Sequence, residues 1–203
     1  MIEIFLWVTL FLTAVIVHEV SHGFVANLLG DPTAKDAGRL TLNPIRHVDP
    51  FWTILLPALL FISTQGRFAI GMAKPVPVNF ERLANRRMGM VAVAFAGPAA
   101  NILLAILSTL LWKRTASNIF LLSVYLNLGL AIFNLIPIPP LDGSKVVAGL
   151  MPRTWARQFL KLEPFGFIII LGVYFLGGLY YMTIPVLDLF CRLLGIPRIG
   201  VHF

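Results

Sequence analysis

The chain has 203 residues, of which 58% are hydrophobic and only 12% are charged, and its net charge is +7. A soluble globular domain is about half apolar and about a quarter charged, so this composition excludes a water-soluble fold, a disordered chain, a collagen-like repeat and a coiled coil. The single cysteine, Cys191, excludes an intramolecular disulfide and a metal site built from several cysteines. We therefore predict an all-α polytopic membrane protein.

Apolar runs long enough to cross a bilayer, which takes about 20 residues, cover about residues 4–29, 88–112, 118–136 and 165–187. We expect the first run to be retained, because it has neither a basic start nor a cleavage site of small residues. A shorter apolar segment, residues 51–62, contains Pro57 and is predicted to be a re-entrant or fifth spanning segment. With about four transmembrane helices, no repeat and no low-complexity linker, residues 1–203 are predicted to form one domain.

A polar cluster interrupts the first apolar run at His18-Glu19-Val20-Ser21-His22. Side chains four residues apart share a helix face, so His18 and His22 can bind one metal ion, and Glu19 can take a proton from an attacking water. This is the H-E-x-x-H pattern of zinc hydrolases. On a soluble helix an ordinary polar surface would explain it, but inside an apolar span three ionisable groups need a partner. We therefore predict one Zn²⁺ per chain.

The third ligand of a catalytic zinc site is less certain from the residues alone. Asp49 and Asp142 remain after the acids at segment ends and in loops are set aside, and His47 is the nitrogen alternative. The prolines before Asp142 and the sharp Asp-Gly turn favour Asp142 only modestly. The choice among the three stays open at this point.

Other polar residues are candidates for supporting roles. Asn134 and Asn101 are predicted to contact the substrate, the developing oxyanion or the active-site region, although Asn134 could equally satisfy its own helix end. His47 could line the water entrance or support the metal site from behind, and a solvated loop histidine is an equal alternative.

The distribution of lysine and arginine predicts the orientation. If the first run crosses from outside to inside and residues 51–62 dip in without crossing, twelve of the 16 basic residues lie inside. A full crossing of that segment would split the 16 into seven inside and nine outside, against the positive-inside rule. His18 lies about 21 Å along a core of about 30 Å, so the site is predicted to open towards the cytoplasm from a multi-pass protein of the cell membrane.

The same charge predicts contact with the lipid bilayer and not with nucleic acid. No basic run is interleaved with aromatic residues in the way that a nucleic-acid groove requires. Basic loops beside membrane spans instead face anionic lipid headgroups.

Two motifs in separate apolar helices carry a family resemblance. His18 to His22, together with Asn134-Leu-Ile-Pro-Ile-Pro-Pro-Leu-Asp142-Gly143, resembles the site-2 protease family of intramembrane zinc metalloproteases. Gly97-Pro-Ala-Ala-Asn101 is similar to a third element of that family, and residues 43–50 resemble its small prokaryotic-type branch. The resemblance covers about residues 15–145.

The resemblance implies a zinc metalloendopeptidase that cleaves membrane-embedded protein or peptide substrates, with a catalytic core over about residues 4–145. It implies His18, His22 and Asp142 as zinc ligands and Glu19 as the general base. The chain departs from many relatives in having no recognisable PDZ-like or cystathionine-synthase-like regulatory domain, so substrate selection and regulation are not implied. The alternatives are a non-proteolytic scaffold and a membrane zinc transporter, which would require several ligand sets along a pathway.

Overall fold

The computed structural model describes residues 2–63, 65 and 74–198, so Arg67, one of the 16 basic residues, lies outside the described residues. The described part is all-helical without a strand, which confirms the predicted fold class. Its α-helices are α1 (Ile2–Leu28), α2 (Thr33–Asp36), α3 (Leu56–Ser63), α4 (Arg86–Thr115), α5 (Asn118–Asn134), α6 (Asp142–Leu150), α7 (Arg153–Leu160), α8 (Gly166–Phe175) and α9 (Gly178–Leu194). Short 3₁₀ turns occupy Pro44–His47, Phe80–Arg82 and Glu163–Phe165, and a π-helical turn at Pro50–Leu55 leads into α3.

Three helical stretches among the described residues are long and apolar enough to cross a membrane, namely Phe5–Leu28, Arg86–Thr115 and Arg153–Phe175. Helix α5 is apolar but has only 17 residues. Large apolar side chains such as Phe5 and Leu110 project outward from the spanning helices and are more than half exposed. Apolar surface of this extent is stable in lipid and not in water. The number of crossings, including whether residues 51–62 cross, stays a prediction.

The apolar run over about residues 165–187 does not form one continuous helix. Helix α8 ends at Phe175 and α9 begins at Gly178. Between them Gly177 has a φ of +71°, in the left-handed region that glycine adopts without steric cost. Hydrophobicity alone predicted one span because it does not register this break.

Helix α4 is the central element of the fold, since it packs against α1, α5 and α6. The Asn85 side chain caps its start by accepting a hydrogen bond of 3.1 Å from the Met88 N–H. Near its start the Ala84 N–H donates to the Leu29 carbonyl, 3.0 Å away, so the C-terminal end of α1 and the N-terminal end of α4 lie together. This pairing sets two long helices side by side.

An extended segment, residues 74–79, lies against the C-terminal half of α1, and we call it the strap. The Lys74 N–H donates to the His47 carbonyl at 2.9 Å, and the Arg39 guanidinium donates to the Lys74 carbonyl at 2.7 Å. Gly23 of α1 leaves room for the strap, because a Cβ there would lie 2.7 Å from the Val76 side chain. The strap is therefore fixed close to the H-E-x-x-H turn of α1.

Asp31, which is fully buried after the end of α1, ties down the other end of the strap. Its carboxylate accepts hydrogen bonds from the N–H and hydroxyl of Thr33 and from the Asn79 N–H, the last at 2.6 Å. Burial raises the pKa of the Asp31 carboxyl, but these hydrogen bonds lower the pKa by more, so that it lies below its ordinary value. The ionised carboxylate thus joins α1, α2 and the strap.

Candidate metal centre

Three side chains with metal-binding atoms meet between α1 and the start of α6. The Nε2 atoms of His18 and His22 lie 3.0 and 3.2 Å from Oδ2 of Asp142. All three residues are buried, and within the described part of the chain they form the one group of His, Cys, Asp and Glu that could hold a metal ion. Folding thus brings two residues from one helical turn to a third that is 124 positions from His18.

This donor set fits zinc. Zinc binds imidazole nitrogen at about 2.0–2.1 Å and carboxylate oxygen at about 2.0–2.2 Å, so neighbouring ligand atoms of a tetrahedral site are about 3.3 Å apart. The observed nitrogen–oxygen separations of 3.0 and 3.2 Å are close to that value. Two histidines and one carboxylate leave the fourth position open, as in catalytic zinc sites.

Each histidine is held through its other ring nitrogen. Nδ1 of His22 lies 2.6 Å from the Val93 carbonyl, and Nδ1 of His18 lies 2.6 Å from Oδ1 of Asn101. A carbonyl can only accept, so Nδ1 of His22 carries the hydrogen and Nε2 presents a lone pair. An Nδ1–H bonded to an oxygen is the arrangement that orients metal-binding histidines.

Asn101 determines the state of His18 in the same way. Its Nδ2 lies 3.1 Å from the Ala14 carbonyl and 2.9 Å from Oδ1 of Asn127. Because the Ala14 carbonyl can only accept, the end of the Asn101 amide that faces it must be the NH₂ group, and the oxygen must face His18. His18 therefore donates through Nδ1 and keeps Nε2 for a metal ion. Asn127 extends the chain of hydrogen bonds by donating to the Ser123 carbonyl at 2.9 Å.

Gly97 lets α4 approach both imidazoles closely. A Cβ at this position would lie 2.5 Å from Nε2 of His22 and 2.7 Å from Nε2 of His18. These distances are shorter than real carbon contacts allow, and they point at the two atoms that would bind the metal ion. A glycine is therefore required where α4 crosses α1.

Asp142 is the first residue of α6, immediately after the proline-rich turn. The following Gly143 packs on backbone, since a Cβ there would lie 2.2 Å from the Leu135 carbonyl oxygen. This close approach folds the turn tightly enough to place the carboxylate against α1. Lys145 places its Nζ 4.0 Å from Oδ1, the oxygen that does not face the histidines.

Glu19 lies beside His18 on α1 and is half-buried. Its Oε2 accepts a hydrogen bond of 2.9 Å from the Val76 N–H of the strap. Pro75 and Pro77 on either side have no N–H, so Val76 provides the one backbone donor of this tripeptide. The strap therefore orients the Glu19 carboxylate next to the candidate metal ligands.

The other candidate ligands lie elsewhere. Asp49 accepts a hydrogen bond of 2.9 Å from the Phe51 N–H at the start of the turn before α3. His47 is buried with Nε2 at 2.8 Å from the Thr41 carbonyl, and neither residue belongs to the metal group. Asn134, the last residue of α5, donates to the Leu130 carbonyl of its own helix at 2.9 Å. Of the three possible third ligands, folding brings Asp142 to the histidines.

Sequence reasoning missed three groups that hold the site. Asn127 could have been found, because an amide in the middle of an apolar helix is costly without a polar partner. The Val93 carbonyl and the Val76 N–H could not, since backbone groups give no signal in the sequence.

Comparison with known proteins identifies the family of this chain. The sequence profile described as peptidase family M50 matches residues 109–177, which include Asp142 and the turn before it. YwhC of Bacillus subtilis (strain 168) is 36% identical over 185 residues, which cover 84% of this chain and 80% of YwhC. The chain belongs to peptidase family M50, the site-2 protease family.

Two further members of the family have similar sequences. Rip2 of Mycobacterium tuberculosis (H37Rv) is 31% identical over 192 residues, covering 84% of this chain and 70% of Rip2. Rip2 of Mycolicibacterium smegmatis is 29% identical over 166 residues, covering 78% of this chain and 62% of that protein. The names of all three relatives designate them, provisionally, as zinc metalloproteases. No solved structure matches this chain significantly. The family resemblance is confirmed, and with it the prediction of a membrane zinc metalloprotease.

Replacing Gly97 with alanine is expected to weaken zinc binding by about tenfold or more, because the new methyl group overlaps both Nε2 atoms. Zinc content of the purified protein at a buffered zinc concentration measures the effect. Gly129→Ala on α5 is the matched control, since a Cβ there meets nothing within 4 Å. Equal zinc content in the two variants would contradict the proposed role of Gly97.

Replacing Asn101 with alanine is expected to weaken zinc binding about 10- to 100-fold, as loss of a hydrogen-bond partner behind a metal ligand typically does. Competition with a chromophoric chelator measures the affinity. Asn134→Ala, whose amide bonds its own helix, is expected to keep wild-type affinity. A similar loss in both variants would show a general effect on folding instead of a specific effect on His18.

Proposed function

We propose that this M50 metalloprotease hydrolyses peptide bonds of membrane-embedded protein substrates, with one zinc ion held by His18, His22 and Asp142 and with Glu19 as the general base. The observation that carries the proposal is the convergence of two imidazole Nε2 atoms and one carboxylate oxygen within 3.0–3.2 Å in a buried place between apolar helices. Such a cluster of ionisable groups in a membrane protein is expensive and is explained by a bound cation.

Each protein group has a definite task in this proposal. When bound, zinc supplies a Lewis acid that polarises the substrate carbonyl and makes water a nucleophile near neutral pH. Glu19 takes a proton from the attacking water and returns it to the leaving amine. The Val76 N–H holds one carboxylate oxygen, which leaves the other oxygen of Glu19 for the proton. Asn101 and the Val93 carbonyl keep the imidazoles in place during the reaction.

An extended substrate would have to pass close to the strap. Pairing of a substrate strand with residues 74–78 is a natural hypothesis, since carbonyls inside a helix are hydrogen-bonded and a substrate must unwind to be cut. In the described conformation, however, the N–H groups of Lys74 and Val76 and the Lys74 carbonyl are already bonded within the protein. We also propose that Asn134, at the end of α5, contacts the substrate or the developing oxyanion, because this residue begins the turn that leads to Asp142.

A transporter function is less well supported. A transport pathway requires successive binding sites, whereas the part of the chain that the structure describes holds a single metal-binding group. A glutamate beside the first histidine, oriented by a backbone N–H, is useful for hydrolysis and has no role in metal transit.

We further propose that the site opens towards the cytoplasm. The ends of α1 and α4 meet at Leu29 and Ala84, and Arg87 of α4 bonds the backbone at the end of α6. Loops rich in lysine and arginine therefore gather at the membrane face closest to Asp142. The positive-inside rule assigns such a face to the cytoplasm.

Replacing Glu19 with glutamine is expected to keep about one zinc per chain but to slow cleavage by about 100- to 10,000-fold, because an amide cannot take up the proton. Single-span membrane proteins reconstituted with the enzyme in vesicles, with and without chelator, provide the assay. Asp142→Ala is expected to lose zinc as well as activity, and Glu163→Gln on an exposed turn is the control that should change neither. Cleavage by Glu19→Gln at the wild-type rate would remove Glu19 from the mechanism.

Cysteine labelling tests the orientation. In a Cys191→Ser background, Lys35→Cys, in α2 after the end of α1, is expected to be protected from an impermeant maleimide in intact cells. Lys113→Cys, near the C-terminal end of α4, is expected to react. Both lysines are exposed, so access depends on the side of the membrane. The reverse pattern would place the site on the outer side.

A further inference from the structure

Helix α7 and the residues that flank it form a surface with no part in the metal centre. We propose that α7 lies in the membrane interface and binds anionic phospholipid headgroups through Arg153, Arg157 and Lys161. This inference goes beyond the proposed proteolytic function and does not depend on it.

The three basic side chains form one stripe. They recur every fourth residue, which places them on the same side of the helix, and all three are exposed. No aspartate or glutamate occurs from residue 143 to residue 162. Among the described residues, Arg86 pairs with Glu81 at 2.5 Å, whereas no ion pair involves the stripe. Its positive charge is therefore uncompensated by any ion pair in the part of the chain that the structure describes.

The opposite side of α7 and the residues after it carry two large apolar side chains that are largely exposed. Trp155 and Leu162 are seven positions apart and so lie on one side, with 70% and 43% of their surfaces exposed. Ala156 and Phe159, between the two sides, are partly buried against the protein. A short helix with basic residues on one side and tryptophan on the other is typical of helices that lie in the membrane interface.

Hydrogen bonds from α4 hold the start of α7 close to the N-terminal end of that spanning helix. Arg87, in the first turn of that spanning helix, donates to the Gly149 carbonyl at 3.2 Å and to the Met151 carbonyl at 2.6 Å. These bonds hold the junction of α6 and α7 where α4 enters the bilayer. The apolar helix α8 begins at Gly166, so the apolar part of the stretch Arg153–Phe175 starts after α7. In a bilayer, the end of a spanning helix lies at the level of the lipid headgroups, so α7 would lie among them.

The basic stripe and the apolar side chains of α7 together favour an anionic bilayer surface as the binding partner. An acidic protein or a nucleic acid would satisfy the basic stripe but would leave Trp155 and Leu162 in water. An anionic bilayer surface satisfies both, because the headgroups neutralise the stripe while the acyl region receives the apolar side chains. Each basic residue near such a surface is expected to favour anionic lipid by roughly fivefold.

Fluorescence of Trp155 in nanodiscs tests the proposal without any measurement of proteolysis. In full-length protein with Trp7, Trp52 and Trp112 changed to phenylalanine, Trp155 is the one remaining tryptophan. Quenching is compared in two bilayers of the same composition, in which either the phosphatidylglycerol or an equal amount of the phosphatidylcholine is brominated. We expect the brominated phosphatidylglycerol to quench roughly twofold more strongly, and high salt to reduce this ratio.

Matched double variants assign the effect to the stripe. Arg153→Gln with Arg157→Gln is expected to lower the quenching ratio, with Lys161 retaining part of the preference, while Lys113→Gln with Arg114→Gln, at the far end of α4, is expected to preserve it. Equal quenching by the two lipids in the parent protein, absence of quenching by either, or an equal loss in both double variants would overturn the proposal.

Discussion

The hydrogen bonds that α4 provides to the two histidines of α1 are the constraint on which the site depends. Imidazoles within an apolar bundle are stable only when each polar atom has a partner, and the Val93 carbonyl and Asn101 are those partners. Because both partners take the Nδ1 hydrogen, both Nε2 lone pairs point towards Asp142. The helix that satisfies the histidines thereby also leaves their Nε2 atoms available for a metal ion.

Close approach of backbone is the second requirement, and glycine meets it where the elements cross. Gly97 brings α4 onto the imidazoles, Gly143 folds the turn that carries Asp142, and Gly23 admits the strap beside Glu19. In each case a single added carbon would meet another atom at 2.7 Å or less. The candidate metal centre therefore depends on the close packing of four chain segments, namely α1, α4, the turn that carries Asp142 and the strap. A larger residue at any of the three glycines would move the side chains of the site apart.

Polar groups lie inside the helix bundle, whereas the outer surface of the spanning helices is apolar. Buried hydrogen bonds run from His18 through Asn101 to Asn127 inside the bundle, while apolar side chains such as Phe5 and Leu110 cover the outside. Most charged side chains lie in the loops and near the helix ends. A protease in this environment needs water at one buried point only.

Local features could be predicted from the sequence, and long-range ones could not. The spacing of His18 and His22 on one helix face follows from helix geometry, and the apolar runs specify a helical membrane protein, so both were accessible without a structure. The residues alone favoured Asp142 only modestly and left Asp49 and His47 open as third ligand, and the family resemblance was what implied Asp142. The choice depends on how a turn more than 100 residues away packs against α1, and only the tertiary structure decides that. For the same reason the sequence predicted Asn101 near the active site without a defined partner, and the hydrogen bond from the Val76 N–H to Glu19 was not predicted. Hydrophobicity likewise did not predict the glycine break between α8 and α9. Hydrogen bonds and chain turns depend on the neighbouring residues that only the folded chain brings together.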